Sequence, residues 1–118
     1  MNIPLILLSE IFLWSFNINP FTIPVTITAY TAHIQQTDST PLLTASQKHV
    51  RKGYIAVSRD LEKGLGLKFG DFLYVNGIKY EFQDRMNKKW KKRVDIFMWS
   101  RKEAVKFGKQ YGLLEIRE

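Results

Sequence analysis

Short runs of alternating apolar and polar residues recur along the chain, each bounded by glycine, proline, asparagine or a basic turn. Val25-Thr26-Ile27-Thr28-Ala29-Tyr30-Thr31 is β-branched and alternating, the pattern of a half-buried strand. Gly53-Tyr54-Ile55-Ala56-Val57-Ser58 and Phe72-Leu73-Tyr74-Val75 repeat it. Asn76-Gly77 then marks a two-residue hairpin, with Ile78 to Gln83 as the returning strand. Val94-Asp95-Ile96-Phe97-Met98-Trp99 and Tyr111 to Ile116 complete six strands. Ala32 to Ser39 reads as a polar loop, and Thr40 to Ser46 as an extended segment leading into a basic turn over Gln47 to Lys52. Leu61 to Leu67 holds two glycines and reads as a short helix or an irregular connection. Ser100-Arg101-Lys102-Glu103 is a capping box, predicting a helix that ends at Gly108 and buries Ala104, Val105 and Phe107. Six short strands with one small helix near the C-terminus predict a closed all-β barrel.

The 118 residues suffice for one ordinary domain, and a hydrophobic content of 45% supports a packed core. The formal charge of +7 favours anionic partners, whether nucleic acid, lipid or an acidic wall polymer, without choosing among them. Cysteine is absent, which excludes disulfides, thiolate metal sites and cysteine nucleophiles. His33 and His49 are far apart and no acidic residue stands near them at metal-ligand spacing, so neither a metal nor a cofactor is expected. Residues 1–24 differ from the rest: Ile3 to Leu8 and Ile11 to Trp14 are strongly apolar, and Glu10 is the one charged side chain before Asp38. The run is too short and interrupted for a membrane span. It is assigned as a leader for export, although it lacks a basic start and an Ala-x-Ala cleavage site; a buried strand or helix is the competing assignment. Pro20 and Pro24 set the boundary, leaving residues 25–118 as the domain, expected to be a monomer.

The candidate chemistry lies between Asp84 and Asp95. These carboxylates bracket a loop with six basic residues and one Trp. Each adjoins a strand, so both are expected at neighbouring strand ends on the barrel rim. Close carboxylates beside a basic, aromatic loop are a starting point for acid/base chemistry on an anionic polymer.

Thr28-Ala29-Tyr30, Thr44-Ala45-Ser46, Ala56-Val57-Ser58-Arg59-Asp60, Lys68-Phe69-Gly70-Asp71, Asp84-Arg85-Met86-Asn87 and Val94-Asp95-Ile96-Phe97, in that order, resemble the 3D domain. That family is named for three aspartates, which here fall on Asp60, Asp84 and Asp95. The likeness covers residues 25 to about 117, and the eleven-residue step from Asp84 to Asp95 is its most specific element. The chain departs where the family usually has a glycine after Thr-Ala-Ser (here Gln47), where Ser58 takes the usual first-aspartate place, and where Arg85-Met86-Asn87 replaces x-Gly-Gly.

The resemblance implies a six-stranded double-psi β-barrel, like the catalytic domain of membrane-bound lytic transglycosylase A. It implies an exported cell-envelope protein acting on peptidoglycan glycan strands, with Asp95 as acid/base and Asp84 as its supporting carboxylate. Such an enzyme cleaves the bond from N-acetylmuramic acid to N-acetylglucosamine without water, closing a 1,6-anhydro ring. An intramolecular nucleophile removes the need for a second carboxylate at set spacing, but the acid must hold its proton near neutrality. Asp84 would raise its pKa, whereas Arg85, Arg93 and the lysines would lower it, and the sequence does not decide between them. If the cations win, the protein binds glycan without cleaving it.

Substrate contacts are expected at Asp60, Tyr30, Thr44, Ser46, Arg85 and Trp90. Each has a plainer alternative: Asp60 as a turn cap, Tyr30 as core, Thr44 and Ser46 as ordinary loop hydroxyls, Arg85 as a solvated loop cation, Trp90 folded onto the barrel; Asp84 likewise could anchor the loop without touching substrate. The loop's cations would meet stem-peptide and muramyl carboxylates. A basic aromatic loop also suits single-stranded nucleic acid, which is not the expected partner here.

Overall fold

A computed structural model describes residues 21–32 and 43–117. Most of the expected leader, and the loop around His33, lie outside the described residues. Six strands appear: β1 (Phe21–Tyr30), β2 (Tyr54–Val57), β3 (Phe72–Val75), β4 (Ile78–Arg85), β5 (Arg93–Phe97) and β6 (Gln110–Ile116). They close into a barrel in the order β1-β5-β2-β4-β3-β6. The pairing is mixed, with β1 parallel to β5 and β2 parallel to β4, and the other four contacts antiparallel.

Strand alternation sorts the side chains. Val25 and Ile27 of β1, Ile55 and Val57 of β2, and Val94 and Ile96 of β5 point inward, where they meet Leu73, Val75, Phe82 and Leu114. Burying this many aliphatic side chains is the main favourable contribution to the fold. The intervening residues face outward. On that outer face Val50, Tyr54 and Phe97 form a second, smaller cluster, with Tyr30 and Ala32 packed against it.

Two short helices occur instead of the one expected. The first, α1 (Arg59–Leu65), fills the glycine-containing segment after β2. Leu61 and Leu67 are buried against the barrel and hold it there. Gly66, at φ 64°, ends it in the left-handed conformation that glycine adopts without steric cost. The second, α2 (Arg101–Phe107), begins as the capping box predicts, with Ser100 Oγ accepting from the Glu103 amide. Its buried side is thinner than expected. Phe107 reaches the core, but Val105 is 71% exposed, because a seven-residue helix lying on β1 presents little more than one turn to the barrel. The first strand also begins earlier than its alternation suggests: Pro24 lies within β1, opposite Leu113 of β6. Among the described residues no helix is long and apolar enough to cross a membrane.

The hairpin at Asn76-Gly77 has positive φ at both residues, as a type I′ turn requires. Asn76 also reaches β6, where its amide N–H donates to the Leu113 carbonyl at 3.0 Å and its side-chain oxygen accepts from the Leu113 amide at 2.9 Å. This side chain sits where a Cβ on Gly112 would project. Gly112→Ala is therefore expected to push the Asn76 side chain off β6 and to destabilise the barrel by roughly 1–3 kcal/mol, measured as a lowered urea midpoint with unchanged slope.

Candidate functional site

The register places one row of residues across four adjacent strands. Thr28 of β1 pairs with Asp95 of β5, Asp95 pairs with Ala56 of β2, and Ala56 pairs with Asp84 of β4. All four lie on the outer face, out of step with the core residues beside them. Asp84 and Asp95 thus flank Ala56 two strands apart, roughly 10 Å between α-carbons at ordinary strand spacing. The small methyl of Ala56 leaves a depression between them.

A bulge makes this row possible. Ile55 pairs with Phe82, but Ala56 pairs with Asp84, so Gln83 is an extra residue in β4. Without it, Ala56 would face Gln83 and Asp84 would fall beside Val57, whose side chain is fully buried in the core. A one-residue slip exchanges the faces of a strand, and here it turns Asp84 outward to the face that Asp95 occupies. Gln83 is itself buried at 1% exposure; its side-chain Nε2 donates to Glu81, and its backbone carbonyl accepts from the Ser46 amide at 3.2 Å.

The two carboxylates are held differently. Asp84 Oδ1 accepts from the backbone amides of Ala45 at 2.9 Å and Arg85 at 2.8 Å, and Oδ2 accepts from the Tyr30 hydroxyl at 3.1 Å. It therefore ties the 43–52 segment and β1 to β4. Asp95 is half-buried and, among the described residues, accepts one hydrogen bond, from Thr28 Oγ1 at 2.8 Å. Burial pushes its pKa from 3.8 up to about 6; the Thr28 bond and Arg93 oppose the shift, and Asp84 adds to it. Tyr30 is raised above the ordinary tyrosine value by burial first, then by Asp84 and Asp95. Asp95 and Asp84, with Tyr30, Arg85 and Trp90, line a depression of about 230 Å³.

The competition between charge and burial at Asp95 is thus decided for burial. Arg85 is diverted: its guanidinium makes two 2.7 Å bonds to Glu62 of α1 and lies over the Phe69 ring. Trp90 lines the depression, but Arg93 stacks on its ring at 3.9 Å from the centroid, with the Lys89 ammonium at 4.9 Å.

The remaining expected contacts stand elsewhere. The Thr44 and Ser46 hydroxyls bond each other at 2.8 Å, and Thr44 is buried at 2% exposure. The backbone amide of Ala45 between them is what reaches the site. Asp60 lies on α1, outside the depression, and its Oδ2 accepts from the Lys92 amide at 3.0 Å. Burial raises its pKa, but hydrogen bonds from Ser58 and the Lys92 amide outweigh this and leave it lowered. Thr28 and Ala56 were not singled out from sequence as site residues. Alternation places both on the same face as Tyr30 and Asp95 only once the register is known.

Among the described residues no group of three His, Asp or Glu side chains gathers as a metal site. Compared with models of known protein families, the chain matches none, and no curated protein matches it.

The raised pKa of Asp95 carries a stability consequence. Between pH 3.8 and about 6 the folded chain keeps a proton that the unfolded chain releases, so stability falls as pH rises through this window. Asp95→Asn removes that loss. Relative to wild type, the variant should gain stability across the window and keep the gain above it, up to about 3 kcal/mol at ~1.4 kcal/mol per unit. Urea unfolding at pH 4 and pH 7.5 measures it; a variant less stable than wild type by the same amount at both values would refute the burial assignment.

Proposed function

We propose that the protein is an exported, 3D-type double-psi barrel that cleaves peptidoglycan glycan strands as a lytic transglycosylase, with Asp95 as acid/base. The observation that carries this is the state of Asp95: a half-buried carboxyl on the barrel's outer face, raised to about 6 by burial, beside a depression large enough to admit part of a sugar chain. Two further features support it. The closed mixed barrel is compatible with double-psi connectivity. Gln47, where the 3D domain usually has glycine, adopts φ 70°, a conformation that glycine favours, so the segment keeps the backbone shape while departing in residue type.

In this proposal Asp95 protonates the glycosidic oxygen. The bond from the muramyl anomeric carbon to that oxygen breaks, and an oxocarbenium-like centre forms. The Asp95 carboxylate then takes the proton of the sugar's own 6-hydroxyl as that oxygen closes on the anomeric carbon. The acid is returned protonated, and no water is consumed. Thr28 orients the carboxyl through its 2.8 Å bond. Asp84, held by three donors, fixes the wall of the depression and adds negative charge near the developing cation.

Binding without cleavage is the second reading. It is favoured by one observation: a pKa of about 6 leaves most Asp95 ionised at pH 7. The two separate in one experiment with the full chain, peptidoglycan sacculi and mass spectrometry of the released products. Cleavage predicts anhydromuramyl products that disappear in Asp95→Asn, with a rate that falls as pH rises through about 6. Wild type and variant that both pellet with sacculi and release nothing would leave a binding protein only.

A further inference from the structure

The basic loop between β4 and β5 has two faces. Asn87 and Trp90 line the depression with Asp84 and Asp95, whereas Lys88 and Lys91 line a second, larger groove of about 730 Å³ between the loop and α1. Across that groove stand Arg59, Lys63 and Lys68. Arg85 borders both spaces. Of the groove's two acids, Glu62 holds Arg85, and Asp60 accepts from the Lys92 amide through Oδ2, while its Oδ1 is buried without a hydrogen-bond partner among the described residues. The four lysines make no hydrogen bond or ion pair through their ammonium groups among the described residues. They repel one another across an open space, a cost that an anionic ligand relieves.

The kind of anion follows from what else lines the groove. It is not shaped to cradle a phosphate with backbone amides, because the amides at its edge turn away: Gly66 donates to Lys63, Leu67 to Glu62 and Lys68 to Asp71. Among the described residues no aromatic side chain lines it, so these offer no platform for stacking nucleic-acid bases. What remains is a spread of long, flexible ammonium groups, which suit carboxylates distributed along a flexible arm. The shared wall at Arg85 lets such an arm branch from a polymer lying in the neighbouring depression.

We propose that this groove binds the carboxylate-bearing peptide arm of the glycan strand whose sugars occupy the depression at Asp84 and Asp95. The assignment rests on the glycan reading above, and it makes the preferred substrate a strand that still carries its acidic peptides.

The test titrates the labelled full chain, followed by amide NMR shifts, with the dipeptide alanyl-γ-glutamate and with its fully amidated twin. The acidic form should move amides of α1 and of the 85–91 segment, and the amidated form should not. Lys63→Ser with Lys68→Ser, both exposed and outside the Asp84–Asp95 depression, should weaken the acidic peptide roughly tenfold. In parallel, wild type should bind peptide-bearing glycan strands roughly tenfold more tightly than peptide-stripped strands, with the difference lost in the double variant. Equal shifts from the two dipeptides, or a double variant that binds like wild type, would overturn the proposal. So would a single-stranded oligonucleotide that moves the same amides at lower concentration than the acidic peptide. If stripped strands bind nowhere, the glycan reading fails, while the dipeptide titration still decides the groove's carboxylate preference.

Discussion

Everything at the candidate site depends on the pairing of β2 with its two neighbours. Ala56 is the common partner of Asp84 and Asp95, and with them it lines the depression. The parallel side of that pairing carries the bulge at Gln83, a rare position for one. Removing the bulge would put Asp84 opposite Val57, the register position that Arg85 holds with its charge exposed and paired to Glu62, and would take it off the face it shares with Asp95. The bulge therefore sets the face that residue 84 occupies. Its own cost is visible: the Gln83 side-chain oxygen is buried without a hydrogen-bond partner among the described residues.

The same register assigns the two aspartates different work. Asp84 meets three donors from three segments, which makes it the junction between β1, β4 and the 43–52 turn. Asp95 has one hydrogen-bond partner among the described residues and lines the depression. A group fully engaged by the fold changes little when a ligand arrives, whereas a half-buried, singly bonded carboxyl can exchange a proton with one. The arrangement resembles a fixed wall facing a movable proton.

The strands were legible because each shows period-2 alternation or a turn signal. Asn76-Gly77 and the Ser100–Glu103 box predicted their local geometry from residue identity alone. The helix α1 was less legible, since Gly64 and Gly66 lower helix propensity over a segment held by burial of Leu61 and Leu67. The N-terminal limit of β1 was hidden by Pro24, which alternation treats as a boundary although it pairs opposite Leu113. At the site, the spacing of Asp84 and Asp95 carried the strongest signal. Two things could not be read from it: the bulge, which adds one residue without a distinctive composition, and the roles of Thr28 and Ala56, which follow from pairing between strands distant in sequence. The chain's order of residues says what each strand is made of, and the register says what each faces.

Charge shows most clearly why register matters. A loop with six basic residues next to a carboxyl argues, by proximity in sequence, for a low pKa. In the fold those charges divide. Arg85 closes on Glu62, and Arg93 stacks on Trp90 while acting on Asp95. Lys88 and Lys91 look across the other groove at Lys63 and Lys68. Lys92 adopts φ 47°, a conformation uncommon outside glycine, and the Asp60 carboxylate at its amide anchors that turn. The Lys92 carbonyl accepts from the Thr26 amide at 2.9 Å, so the turn is tied on both sides where the loop runs into β5. Solvent screens the lysines before their field reaches Asp95, whereas the burial of Asp95 is local and unscreened. One loop can then serve two electrostatic environments a few residues apart, a cationic groove on one side and a protonatable carboxyl on the other, provided the turn at Lys92 keeps them separate.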